Sequence, residues 1–132
     1  MTDRPIGYWL READRLITER GFAPLAERGL TRTHWQVLNL ICDETPTAEA
    51  IAKTMKPFGP VEDMVAIVND LCIRGWAERQ DDHLTATESG QKERSELGAL
   101  VNVIRVHTMD GISSDEYQTT IRTLQRIVHN LS

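Results

Sequence analysis

The stretch TPTAEAIAKTMKPFGPVEDMVAIVNDLCIRGWAERQDDHLTATESG, residues 45–90, decides the fold. Thr45 ahead of Pro46 reads as a helix start, because the hydroxyl can take an orphan amide and proline in the first turn has no amide to lose. Ala48, Ile51, Ala52 and Met55 follow at helical spacing, and Pro57-Phe58-Gly59-Pro60 breaks this short helix. A second helix begins at Pro60 and carries Val61, Met64, Val65, Ile67, Val68, Leu71 and Cys72 up to Gly75, which stops it. Two short helices joined by a tight turn make a helix-turn-helix. The period then changes: Trp76–Gln80 and His83–Thr87 are short β-compatible runs on either side of Asp81-Asp82, the pattern of a tight hairpin.

Working outward, Thr31 is placed to cap a helix whose Trp35, Leu38, Leu40, Ile41 and Cys42 are dense enough for a central core element. The N-terminal segment reads as one helix from about Arg4 to Arg20, with Pro5 in its first turn and Gly21 as its stop, followed by a loop over Ala23–Leu30. A long helix is predicted from Glu88 to about Thr108. A last one starts at Ser113, where Ser113-x-x-Glu116 forms a capping box, and carries Tyr117, Ile121, Leu124, Val128 and Leu131 at spacings of 4, 3, 4 and 3. Helices gain most of their stability by burying an apolar face, and these terminal stripes are too narrow to make a core of their own. The first and last helices are therefore expected to pack together and against a second copy, with Trp9, Leu16, Tyr117, Ile121, Leu124 and Val128 as dimer contacts. The expected fold is mainly α: a winged helix-turn-helix with a small β-hairpin wing and dimerising N- and C-terminal helices. Its parts are an N-terminal dimerisation helix and loop (1–30), the winged helix-turn-helix domain (31–90) and C-terminal dimerisation helices (91–132).

Length and composition bound the function classes. The 132 residues are 40% apolar with two cysteines, which fits one globular domain and not a disulfide-stapled miniprotein. The longest apolar run, Met64–Val68, is far short of the ~20 residues of a membrane span. Asp3, Arg4 and Gly7 interrupt the first ten residues where a secretory signal would be apolar. A cytoplasmic protein with reduced Cys42 and Cys72 is expected. Both cysteines read as structural, and Asp43 and Glu44 disfavour a Cys42 thiolate. His34, His83, His107 and His129 are scattered, with no zinc-ligand spacing, and no phosphate loop or nucleophile elbow is present. No enzyme activity, cofactor or metal is expected.

The net charge of −5 is unevenly placed. Residues 1–30 and 91–132 each balance five bases against five acids, while residues 31–90 set five bases (Arg32, Lys53, Lys56, Arg74, Arg79) against ten acids. The whole excess of acid lies in the helix-turn-helix.

The order of elements resembles the multiple-antibiotic-resistance regulator (MarR) family from Ile6 to Leu131. The matching residues are Leu30-Thr31 with Trp35-Gln36-Val37-Leu38, then Ile51-Ala52, then Val68, Leu71 and Arg74-Gly75-Trp76-Ala77-Glu78-Arg79. Leu84-Thr85-Ala86-Thr87-Glu88-Ser89-Gly90 and Gly111-Ile112-Ser113 with Leu124 and Ile127 complete the resemblance. It implies a homodimeric transcriptional repressor or activator that binds a palindromic double-stranded DNA operator, often released by a small phenolic or other lipophilic effector or by thiol oxidation. By that resemblance the helix Pro60–Arg74 reads the operator through Val61, Glu62, Asp63 and Ala66. Arg32, Lys53, Thr54, Lys56, Arg74 and Arg79 would hold phosphates, His83 would sit in the wing, and Trp9, His34 and Trp35 would lie near the effector. The family's recognition helix usually carries Ser, Thr, Gln and Arg, and the acidic residues here open a second expectation: a winged-helix dimer with weakened or lost DNA binding whose acidic face takes a protein partner.

Overall fold

The computed structural model describes residues 3–132. Its elements are α1 (Ile6–Leu16), a π turn (Ile17–Gly21), α2 (Ala23–Ala26), α3 (Arg32–Glu44), α4 (Ala48–Thr54), a 3₁₀ turn (Lys56–Phe58), α5 (Val61–Ile73), β1 (Ala77–Gln80), β2 (His83–Ala86), α6 (Glu88–Thr108) and α7 (Ser114–Leu131). The fold is mainly α, and β1 and β2 form an antiparallel wing in the register Ala77↔Ala86 to Gln80↔His83.

The core gathers on α3. Val37, Leu38 and Ile41 are buried among Ile51 of α4, Met64, Val68 and Leu71 of α5, Leu84 of the wing and Leu97 of α6. Among the described residues every buried apolar side chain falls between Leu25 and Leu97, and neither α1 nor α7 buries one.

Helix α5 ends in a Schellman turn: the Trp76 amide donates to the Leu71 carbonyl at 3.0 Å and the Gly75 amide to the Cys72 carbonyl at 3.0 Å, with Gly75 at φ +80°. The chain thereby turns directly into the wing. On the return, the Thr87 amide donates to the Trp76 carbonyl at 3.1 Å and the Thr87 hydroxyl to the Gly75 carbonyl at 2.6 Å. Thr87 also caps α6 by accepting from the Gly90 amide. The capping box at α7 forms as expected, and the Ser113 backbone amide holds the Glu116 carboxyl below the ordinary glutamate value.

Four expectations are corrected. The cap of α4 is Thr47, whose hydroxyl accepts from the Ala50 amide, and Thr45 instead ends α3 in the left-handed region at φ 49°. The cause is tertiary: the Leu84 amide donates to the Pro46 carbonyl at 2.8 Å and Thr47 forms an isolated bridge to His83, so this segment is drawn out extended beside the wing. The N-terminal helix starts at Ile6, with Pro5 just outside as its cap, and is not uniform to Arg20. It widens into the π turn, where Gly21 comes close to Ile104. The expected loop 23–30 contains α2, which exists to bury Leu25 completely. Trp76 and Thr87 fall outside the strands because they form the clamp at the wing's base.

Gly90 is buried against that clamp, and a Cβ there would lie 2.0 Å from the Trp76 carbonyl oxygen, a backbone atom that cannot rotate away. Gly90→Ala is expected to cost about 3 kcal/mol by overpacking. Gly98→Ala meets only the end of the Trp35 ring at 3.2 Å, and the gain in helix propensity should leave it within about 1 kcal/mol of the parent. Urea denaturation of the two variants measures the contrast.

Candidate functional site

Helix α5 turns Met64, Val68 and Leu71 into the core and leaves Val61, Glu62, Asp63, Val65, Ala66 and Asn69 exposed. The acids in its first turn have a local reason: they face the positive end of the helix dipole. Lys53 and Lys56, from the end of α4 and the 3₁₀ turn, border a shallow hollow together with Pro60, Val61 and Glu62. The structure thus brings together Lys53, Lys56, Val61 and Glu62, with Thr54 exposed at the end of α4 and His83 exposed on the wing.

The arginines of the winged domain are engaged in holding the fold. Arg74 Nε donates to Asp70 Oδ2 at 3.0 Å while its guanidinium lies 5.2 Å from the Trp76 ring centre. Arg79 Nη2 donates to Asn69 Oδ1 at 2.8 Å and Nη1 to Cys72 Sγ at 3.3 Å, tying the wing to α5. Arg32 Nη1 donates to Asp14 Oδ1 at 2.6 Å and to the Thr18 hydroxyl at 3.0 Å, and its guanidinium lies against Phe22 and Phe58 at 5.7 and 5.4 Å. Arg32 therefore fastens the N-terminal helix to α3. Lys53, Lys56 and Arg79 form no ion pair among the described residues, and of these three only Arg79 is held by other side chains, Asn69 and Cys72.

His34 faces the same network. Its Nδ1 accepts from the Thr31 amide at 3.1 Å while the Thr31 hydroxyl accepts from the His34 amide, a capping box with histidine in the place of glutamate. With Nδ1 accepting, the proton is assigned to Nε2, which donates to Asp70 Oδ2 at 2.9 Å. Partial burial raises the Asp70 carboxyl, but the hydrogen bonds from Arg74 and His34 outweigh it and hold the group below the ordinary aspartate value.

Trp35, one residue on, lines a different space. A cavity of about 350 Å³ opens between the π turn, α3, α6 and α7, lined by residues that include Ile17, Phe22, Trp35, Gln36, Val101 and Tyr117, with Arg32 and Arg105 at its edge. The Gln36 Oε1 atom is buried without a hydrogen-bond partner among the described residues. His34 and Trp9 do not line this cavity; Trp9 packs edge-on against Tyr8 on the exposed face of α1. The Cys42 thiol is pushed up by burial, against the pull of Arg94, so it stays protonated at neutral pH. Among the described residues no group of three or more His, Cys, Asp or Glu side chains could hold a metal ion, and no helix is long and apolar enough to cross a membrane.

No family model matches the chain. Among solved structures it superposes on a MarR-family transcriptional regulator from Rhodococcus sp. RHA1 with a TM-score of 0.82, at 26% identity over 92% of both chains. CouR from Rhodococcus jostii RHA1, bound to p-coumaroyl-CoA, gives 0.82 at 25% identity over 93% of this chain and 91% of that one. The Mycobacterium tuberculosis MarR-family protein Rv2887 in complex with DNA gives 0.75 at 19% identity over 95% and 98%. The chain has the fold of the MarR-family transcriptional regulators. In that fold α5 corresponds to the recognition helix and the β1–β2 hairpin to the wing.

Several residues of this MarR-like site escaped sequence reasoning. Val65 lies four positions beyond Val61, and that helical spacing was a usable signal; Asn69, four further on, is exposed as its place on the helix face predicts. Gln36, Phe22 and Arg105 gave none, because the cavity they line is assembled from segments as far apart in the chain as Ile17 and Tyr117.

Because the folded Asp70 carboxyl titrates below its unfolded value of about 3.9, the stability it adds is complete above that pH and is lost as pH falls through the folded value. Asp70→Asn should therefore lower the urea midpoint near pH 6 and lose less stability than the parent between about pH 5 and pH 3.

Proposed function

We propose that the chain is a homodimeric, DNA-binding transcriptional regulator of the MarR type, cytoplasmic and without enzymatic activity. The observation that carries this reading is a solvent-exposed helix α5, fixed by α3 and the wing in a fold shared with MarR regulators over nine-tenths of the chain. Helix α5 enters the major groove through Val61, Glu62 and Ala66, with Asp63 turned back towards Gly59, while Lys53, Lys56 and Thr54 hold the adjoining phosphates. Arg74, Arg79 and His83 stand at the wing side, and Arg32 acts from behind by fixing α1.

Dimerisation follows from what one chain leaves uncovered. Ile6, Tyr8, Trp9 and Leu10 of α1 and Val128 and Leu131 of α7 are exposed, and an 18-residue helix whose apolar stripe is at best half-buried has little tertiary support as a monomer. A second copy supplies it, through Trp9, Leu16, Tyr117, Ile121, Leu124 and Val128. Residues 1–30 and 91–132 thus serve as the dimer arms around a winged domain at 31–90. The cavity at Trp35 takes a small lipophilic effector; its walls join α3 of the winged domain to α6 and α7, so an occupant there bears on the angle between the two. CouR, with the same fold, holds p-coumaroyl-CoA.

Two unpaired lysines per protomer, four per dimer, predict a log K against log salt slope of about −4, and Lys53→Ala should flatten it by about 2 per dimer. Fluorescence anisotropy on a selected operator measures both, alongside a sedimentation mass near twice 15.0 kDa. No binding to any duplex at ~50 mM salt contradicts the assignment.

A further inference from the structure

The inference that follows rests on α5 being the DNA-reading helix. The chemistry that α5 offers a groove is narrow. Guanine is read by a bidentate Arg or Lys and adenine by a bidentate Asn or Gln. Helix α5 contains no Lys, Arg or Gln, its one Asn69 has its amide oxygen held by Arg79, and Arg74 just beyond it is folded onto Asp70 and Trp76.

The side chains that remain are apolar or acceptors. Val61 and Val65 stand exposed on one edge of α5 and form a wall of a hollow of about 310 Å³, with Ile51 and Ala52 of α4 opposite, Met64 and Val68 beneath, and Glu49 of α4 and Arg79 of the wing also on its wall. A thymine methyl entering that hollow meets hydrocarbon from both helices. Lys53 and Lys56, which make neither an ion pair nor a side-chain hydrogen bond among the described residues, border the same Val61 from the other side, where the adjoining phosphate would lie. Of the two carboxylates, Asp63 turns back towards Gly59 and the hollow at His34, leaving Glu62 on the outer face beside Val61. A carboxylate in the major groove accepts from the cytosine N4 amino group.

We propose that α5 reads its half-site through thymine C5 methyl groups, seated at Val61 and Val65, and a cytosine N4 amino group held by Glu62, with no guanine-anchoring side chain on the helix. The preferred operator is then recognised by pyrimidine edges.

The test begins with selection of duplexes from a random library by the full-length protein at ~50 mM salt. The selected site is then resynthesised with uracil for thymine, which removes only the methyl groups. About fourfold weaker binding per buried methyl is expected, roughly 15-fold for two in a half-site. Val65→Ala should shrink the thymine-to-uracil ratio, and Glu62→Gln should relax the choice of cytosine; both positions are exposed, and the uracil comparison itself needs no variant. Uracil duplexes bound as tightly as thymine duplexes overturn this proposal while leaving DNA binding intact. A library from which no sequence is enriched overturns the DNA-binding function and this proposal with it.

Discussion

The carbonyl of Trp76 is where the winged domain is locked. It accepts the Thr87 amide that closes the wing, and Gly90, one turn into α6, approaches it more closely than any side chain would allow. The Schellman turn at Gly75 places Trp76 directly after α5, so the end of the recognition helix, the base of the wing and the start of the long helix share one point. A backbone contact of this kind does not flex by rotamer change. The angle between α5 and α6 is set there, and with it the relation of the proposed reading helix to the proposed dimer arm.

That rigidity changes the meaning of the acidic balance. Ten acids against five bases between residues 31 and 90 looks like a face that repels DNA. The structure divides those charges by task. Asp70 binds Arg74 and His34 and so ties α5 to the head of α3, while Arg32 and Arg79 fasten neighbouring elements to the core. Glu62 and Asp63 meet the dipole of α5. Lys53 and Lys56 are left without an ion pair or side-chain hydrogen bond among the described residues, and in the proposed DNA complex they would hold phosphates while the outer face of α5 discriminates among bases by shape and by acceptors.

Element type was legible where one local rule dominated: the 3.6-residue period of α5, the alternation around Asp81-Asp82, the box at Ser113 and Glu116. It failed where a distant partner overruled the local rule. Thr45-Pro46 is a good cap locally, but pairing with Leu84 and His83, nearly 40 positions later, draws the segment out extended beside the wing and passes the cap to Thr47. The site shows the same division. Val61, Glu62 and Ala66 could be read from helical phase, but His34 and Trp35 sit about 100° apart around α3, so one joins Asp70 and the other a cavity. Ion pairs such as Arg32 with Asp14, which remove a cation from the reading face, leave no mark in sequence order.

In the proposed dimer, two copies of this chain present their α5 helices one DNA turn apart. Spin labels on Ala66→Cys in a Cys42→Ser, Cys72→Ser background, measured by double electron–electron resonance, test it directly, since Ala66 lies on the exposed face of α5. A distance centred near ~34 Å that narrows when the selected operator is added is predicted. No dipolar coupling at micromolar protein, or a distance that stays far from one helical turn with DNA present, would contradict the account.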